Sequence, residues 1–194
     1  YISDPDYMSV DPKSFLDSQF LDNEIKRISP SKASNWPASD NQGDTVWLGA
    51  VDRDGRVVSF IQSIYWEFGS GVVLDETGIT WQNRGMSFSL DDQHHNVLKP
   101  YRRPFHTIQP ALASLSDGRT MVYGTMGGEG QPQTQAMVFN RYVTHGHELQ
   151  KAVTSPRWLL GRTWGSMTNA IRIEDRFDQS VYEELRGMGH DLKL

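Results

Sequence analysis

Thr45 follows Gly43-Asp44 and precedes an apolar run, Val46 to Val51. A threonine hydroxyl is a weak nucleophile unless a base stands beside it. The α-amine of the same residue can be that base, because a free α-amino group titrates at about 7.7–8.0. That chemistry requires the bond between Asp44 and Thr45 to be cut. The alternative is structural, since threonine is a good strand former and needs no other reason to begin one.

A second constellation is Gly124-Thr-Met-Gly-Gly-Glu-Gly-Gln-Pro-Gln-Thr134, between a strand pattern and a helix pattern. Backbone N–H groups at such a junction can hold an anion or an oxyanion. No Gly-Lys-Ser/Thr follows and the spacing is not G-x-G-x-x-G, so this is no nucleotide phosphate loop. A Gly-Gly pair can equally be a tight turn that needs positive φ. Phe68-Gly-Ser-Gly-Val72 is another glycine turn. Residues 82–89, Gln-Asn-Arg-Gly-Met-Ser-Phe-Ser, set polar side chains just after a strand. They suit a small polar substrate, or form a polar turn with a surface arginine. In Arg103-Pro-Phe-His-Thr107, His106 and Thr107 are pocket donors or plain loop residues. His94-His95 and His145-x-His147 lack the i, i+4 spacing around a carboxylate that zinc hydrolases use. No metal or other cofactor is expected, and these four histidines read as surface residues.

The elements that must position these groups follow from pattern. Asp11-Pro12 opens a helix by cap chemistry, with Phe15, Leu16, Phe20 and Ile25 as a rough apolar face to about Ile28. Residues 29–44 are rich in Ser, Pro, Asn, Asp and Gly and read as a linker, where chains are commonly cut. Strands over 46–51 and 57–64 flank Asp52-Arg53-Asp54-Gly55, a hairpin signal. Further strands are expected over 78–82 and 120–124. Helices are expected from about Pro132 to Thr144 and over 148–154, the latter stopping before Pro156. A last helix starts at Asp178, with Val181, Leu185 and Met188 on one face and Gly187 and Gly189 at its end. The fold class is α+β, a sheet faced by helices.

With 194 residues the chain can bury a core, and Trp 6, Tyr 7 and Phe 8 supply it with aromatics. The net charge is −5 and no basic cluster exceeds Arg102-Arg103 in length, so neither nucleic acid nor an anionic membrane is an expected partner. No apolar run approaches the roughly 18 residues of a membrane span. With no cysteine, disulfides, Cys metal sites and a Cys nucleophile are excluded. The chain begins at Tyr1 without a signal peptide pattern and reads as a piece of something longer.

Taken in order, these pieces resemble the small, catalytic subunit of gamma-glutamyltranspeptidase-like N-terminal nucleophile hydrolases. The matching residues are Thr45 before a strand ending Val51-Asp52, Asp54-Gly55, Phe68-Gly-Ser-Gly71, Gly78-Ile79, Asn83, Phe88-Ser89, Arg103-Pro104, Gly127-Gly128, Pro156-Arg157 and the closing Gly-His-Asp. Residues 1–44 resemble the tail of the family's large subunit with the cleavage linker, Asp4-Pro5-Asp6-Tyr7 fitting a motif there. Residues 45–194 resemble the catalytic region. The resemblance implies part of an αββα four-layer sandwich. It implies that Thr45 attacks the Asp44 carbonyl to cut the precursor, and that its freed amine then serves as general base. Gly127 and Gly128 align with oxyanion-hole glycines, and Ser63 with a threonine whose hydroxyl supports the nucleophile. Asn83 falls in the substrate-contacting segment.

The departures from the family bear on substrate. Where gamma-glutamyl enzymes hold an ammonium with Asn, Gln and Asp, this chain has Tyr65, Arg84 and Ser87. Two carboxylate-binding serines align with His106 and Thr107. A pocket with Arg84, and with His106 as a second cation, should repel an ammonium and accept a carboxylate. Residues 46–74 and Pro-Arg-Trp-Leu-Leu-Gly-Arg-Thr-Trp-Gly are similar to a branch that includes oxamate amidohydrolase. The implied function is an amidohydrolase or acyltransferase for a small carboxylate-bearing amide. The alternatives are a true gamma-glutamyltransferase or glutathione hydrolase, or an unprocessed, catalytically silent homologue. A Trp-rich carbohydrate-binding module ranks last. The implied partner is the large subunit of the same precursor, in a heterodimer or a dimer of heterodimers, in the cytoplasm rather than the periplasm.

Overall fold

The computed structural model describes residues 4–33, 44–161 and 168–194. They fall into two compact units, one from residues 1–34 and 83–106, the other from residues 35–82 and 107–194.

In the first unit, Asp11 opens a helical stretch as expected, its carboxylate accepting from the Lys13 N–H at 2.9 Å. The single helix expected to Ile28 is broken, however. A 3₁₀ turn, Pro12–Leu16, ends at Asp17, whose ψ of 136° is extended, and α1 runs Ser18–Arg27. Aspartate favours the conformation that precedes a helix over a place inside one, which explains the break. Phe15 and Phe20 meet edge to face across it, 5.3 Å apart. Of the linker expected over 29–44, residues 34–43 lie outside the described residues.

The rest of this unit has little regular pairing and is held by side chains. Asp4, 3% exposed, accepts from the Arg103 N–H at 2.7 Å and from its guanidinium at 3.0 Å. Arg102 donates to the carbonyls of Val97 and His95 and lies over the Tyr7 ring, 4.6 Å from its centre.

In the second unit, β1 (Asp44–Val51) and β2 (Val57–Tyr65) form the expected antiparallel hairpin. Its turn is set by Asp52, whose carboxylate accepts from the N–H groups of Asp54 and Arg56, both at 2.9 Å, while Gly55 takes φ +81°. Pairing puts Thr45 opposite Ser63, Trp47 opposite Ile61 and Gly49 opposite Ser59, all on one face. On the other face Val46, Leu48, Val58 and Phe60 are between 45% and 54% exposed.

The strand expected over 78–82 is shorter, with β3 (Val73–Leu74) paired to β4 (Ile79–Thr80). The Phe68–Gly71 turn docks on this ribbon. Ser70 donates from both its N–H and its hydroxyl to the Trp81 carbonyl, at 2.8 and 2.9 Å. Gly69 has φ +56°, and a Cβ there would lie 2.4 Å from that carbonyl oxygen.

β5 (Ala111–Ser114) pairs with β6 (Thr120–Tyr123). The sequence hides β5, because Ala-Leu-Ala-Ser carries little strand preference. α2 runs Gln131–Phe139 and passes into a π turn, Asn140–Thr144, where a continuing α-helix was expected. From that turn Arg141 reaches the carbonyls of Ala152 and Ser155, at 3.4 and 3.2 Å, and so satisfies the end of α3 (Leu149–Thr154).

A three-stranded sheet closes the unit: β7 (Trp158–Leu160), β8 (Ile171–Ile173) and β9 (Leu192–Lys193). These strands are too short for their period to be visible in sequence. Gln133 covers the end of β7, donating to the Leu160 carbonyl at 3.0 Å and accepting from its N–H at 2.7 Å. α4 (Gln179–Gly187) packs on the sheet through Tyr182 and Leu185 against Ile171 and Ile173, with Gly189 beyond it at φ +91°. The buried face is thus centred on Tyr182 rather than Val181. No helix of the described residues is long and apolar enough to cross a membrane.

Candidate active site

Thr45 sits where regular pairing begins. Asp44 pairs with Tyr65 and Thr45 with Ser63, so the register breaks between Asp44 and Thr45 and skips Ile64. Thr45 Oγ1 donates to Ser63 Oγ at 3.0 Å. Ser63 Oγ also accepts from the Tyr65 N–H at 2.9 Å. Tyr65 is only 7% exposed and has φ +78°, a left-handed conformation that costs a non-glycine residue roughly 1–3 kcal/mol. A bulge, a hydroxyl pair and a strained residue therefore converge on the Asp44–Thr45 bond. In the unbroken chain the Thr45 nitrogen is an amide and cannot act as a base.

The glycine turn after β6 is a tight turn that needs positive φ, as one of its two readings has it. Gly127 takes φ +108° and Gly128 φ +52°, which only glycine adopts freely. The Gly130 N–H closes the turn on the Gly127 carbonyl at 2.8 Å, and α2 starts at the next residue. The amides of Gly127 and Gly128 thus lie just before a helix amino end, where partial positive charge favours an anion. A cavity of about 670 Å³ opens beside Gly127, lined by Met126, Arg157, Trp158 and Arg176 among others. Its charge is largely internal: Glu174 pairs with Arg157 at 3.2 Å and also with Arg176. Thr45 does not line it. Thr107, 4% exposed, belongs to this second unit.

Asn83, Arg84, Ser87 and His106 belong to the first unit. Arg84 opens a 3₁₀ turn, Arg84–Ser87, and is only 3% exposed, so it is not a surface arginine. Asn83 donates to Met86 Sδ at 3.5 Å, and the Ser87 carbonyl accepts from Asn96. His106 was expected as a second cation. Partial desolvation, and then the Arg84 guanidinium, hold its pKa below the usual histidine value, which disfavours the cationic form. His94 and His95 are exposed and stack on one another, His145 is exposed, and His147 is half-buried rather than on the surface.

The gamma-glutamyltranspeptidase model matches residues 1–194. The chain belongs to that family. It is 52% identical over its whole length to the oxamate amidohydrolase proenzyme of Klebsiella pneumoniae, covering 37% of that protein. It is 41% identical over 97% of its length to a glutathione hydrolase-like proenzyme, YwrD, of Bacillus subtilis, covering 36% of it. Its fold matches the cephalosporin acylase of Bacillus halodurans with a TM-score of 0.85 at 35% identity, over all of this chain and 34% of that one. The chain spans about a third of the length of these relatives. Its mixed helix-and-strand fold is that of the N-terminal nucleophile hydrolases.

Within this gamma-glutamyltranspeptidase-family chain, three further features escaped the sequence reading. Gln131, fully buried, accepts from the Gln109 N–H at 3.2 Å, and Gln135 donates to the Gln109 carbonyl at 2.8 Å. Together they fix the strand-entry segment against the start of α2. Their i, i+4 spacing was the available signal. The second is Asp4, whose partner Arg103 is distant in sequence. The third is Trp47, whose value to a strand hid its contacts.

Proposed function

We propose that this chain carries the nucleophile of a self-processing amidohydrolase that acts on a small, carboxylate-bearing amide. The observation that carries the reading is the 3.0 Å hydrogen bond from Thr45 Oγ1 to Ser63 Oγ, just after the break in register between Asp44 and Thr45. The relatives named proenzymes support the processing step.

In this reading Thr45 Oγ1 attacks the Asp44 carbonyl carbon. The peptide C–N bond breaks, an ester forms, and water hydrolyses it. Asp44 is left as a carboxylate and Thr45 with a free amine. Residues 1–44 then end the large-subunit region and residues 45–194 form the catalytic small subunit. The Thr45 amine takes the hydroxyl proton as Oγ1 attacks the substrate amide. The Gly127 and Gly128 N–H groups stabilise the oxyanion. The amine passes its proton to the departing nitrogen, and water or an acceptor amine resolves the acyl-enzyme. Ser63 holds the nucleophile's hydroxyl in line. We assign Arg84 to the substrate carboxylate, and the resemblance proposes Asn83, Ser87, His106, Thr107 and Tyr65 as further substrate contacts. Removing the acid found in gamma-glutamyl enzymes disfavours an ammonium. The half-exposed apolar face of the hairpin suits cover by the large subunit of the same precursor.

The test is a substrate panel on processed protein. Ammonia release from oxamate should outpace product release from a gamma-glutamyl anilide. The reverse order would establish a glutamyl-transfer enzyme instead. Thr45→Ala should abolish both self-cleavage and turnover, and two normal fragments from that variant on a denaturing gel would remove Thr45 from its role.

A further inference from the structure

Thr45 and Trp47 project from the same face of β1, because strand side chains alternate. The Trp47 indole crosses to β2, where Nε1 donates to Ser59 Oγ at 2.9 Å. Ser59 Oγ donates onward to the carbonyl oxygen of Tyr123, the last residue of β6, at 3.4 Å. The same ring lies flat against Gly124. A Cβ built there would fall 2.1 Å from Cδ1 and 2.6 Å from Nε1. At its other end, a Cβ on Gly49 would fall 2.9 Å from Cη2. Neither glycine has a left-handed φ. Their missing side chains serve the indole rather than the backbone. Gly124 begins the segment that continues to Gly127 and Gly128. One rigid side chain therefore bridges the strand that starts at Thr45 and the chain that leads into the glycine turn.

We propose that Trp47, seated by Ser59 and Gly124, is a positioning residue that sets the separation between the Thr45 hydroxyl and the amide donors of Gly127 and Gly128. This rests on the Thr-nucleophile reading above. An indole has two side-chain torsions, and here its ring is blocked by backbone at both ends, so it transmits a displacement instead of absorbing it. A misplacement of about 1 Å between reacting groups can cost about 100-fold in rate.

The experiment uses the full-length precursor, with oxamate as probe and ammonia release as readout. Trp47→Phe keeps an aromatic ring and loses the N–H, and Ser59→Ala removes the acceptor. Each should lower kcat about 10-fold, with KM within about twofold and the rate of self-cleavage reduced alongside. Ser59→Thr, which restores the hydroxyl, should recover most of the loss. Gly124→Ala should cost about 100-fold in the native background and less than about threefold when Trp47→Val has cleared the space. Losses in kcat that merely track melting temperature, Trp47→Phe with unchanged kcat, or additive costs for Gly124→Ala and Trp47→Val would overturn the proposal. Thr45→Ala runs in parallel. If it still processes and turns over, the nucleophile reading falls on its own account; if it is inert, the Trp47 series decides the positioning role alone.

Discussion

The hairpin that carries Thr45 and the segment that carries Arg84 hold their groups by opposite means. The hairpin uses main-chain pairing, so the meeting of Thr45 with Ser63 is fixed by register, and a one-residue slip would turn every side chain to the other face. The Arg84 segment has a 3₁₀ turn and side chains bonded to backbone: Asn96 to the Ser87 carbonyl, Arg102 to the Val97 carbonyl, Asp4 to the Arg103 N–H. The first arrangement sets the place of a hydroxyl by strand register. The second surrounds a buried cation with turns tied by side-chain hydrogen bonds. Substitutions in the hairpin and in the Gly127-Gly128 turn after β6 should therefore change the chemical step. Substitutions around Arg84 should change recognition and stability.

After loss of Thr45 itself, the largest expected effect is at Gly127. A side chain is strained at φ +108°, so Gly127→Ala should cost turnover about 100- to 1,000-fold, the range for losing an oxyanion donor. Ser63→Ala should lower kcat about 10- to 100-fold, while Ser63→Thr stays within about threefold of native, because only the hydroxyl is needed. Arg84→Leu should raise KM for a carboxylate-bearing amide at least about 10-fold with a smaller change in kcat. The contrast breaks if Arg84→Leu lowers kcat alone, or if Ser63→Ala raises KM alone.

Stability effects are smaller. The Arg103 backbone N–H and guanidinium hold the Asp4 carboxyl below the usual carboxylate range. Its contribution is present above about pH 3.9 and is lost as pH falls through the lower folded value. Asp4→Asn should lower the melting temperature at pH 7 and remove that acid-range slope in thermal unfolding. The smallest effect belongs to His106. Its folded pKa lies below the ordinary value, so the unfolded chain binds the proton first and stability declines as pH falls below about 6.5. More than a third of the side chain stays accessible, which limits the slope. His106→Gln should flatten it, and an unchanged pH profile would show that His106 is not held neutral.

Regular elements with a strong local signal were legible. The β1–β2 hairpin, its Asp52–Gly55 turn and α3 follow from residue type alone. The helix break at Asp17, the π turn at Asn140–Thr144 and the short strands β5 and β7 to β9 were not, because elements of two to five residues carry no measurable period. The glycines at 127 and 128 were visible as a motif, but only their dihedral angles show that the turn needs positive φ at both positions. For Arg84 the sequence left a pocket cation and a surface residue both open, and only its 3% exposure rules out the surface reading, because burial depends on packing that local sequence does not record.

The sequence by itself determined that Thr45 begins a strand, that Ser63 returns opposite it, and that glycines precede α2. Those facts depend on propensity, alternation and turn chemistry, which act over a few residues. Only the tertiary structure decided that Trp47 lies over Gly124, that Asp4 holds Arg103, and that partial burial and Arg84 hold the His106 pKa down. Packing contacts and electrostatic environments join residues far apart in the chain, and their energies exist only once the chain has brought them together.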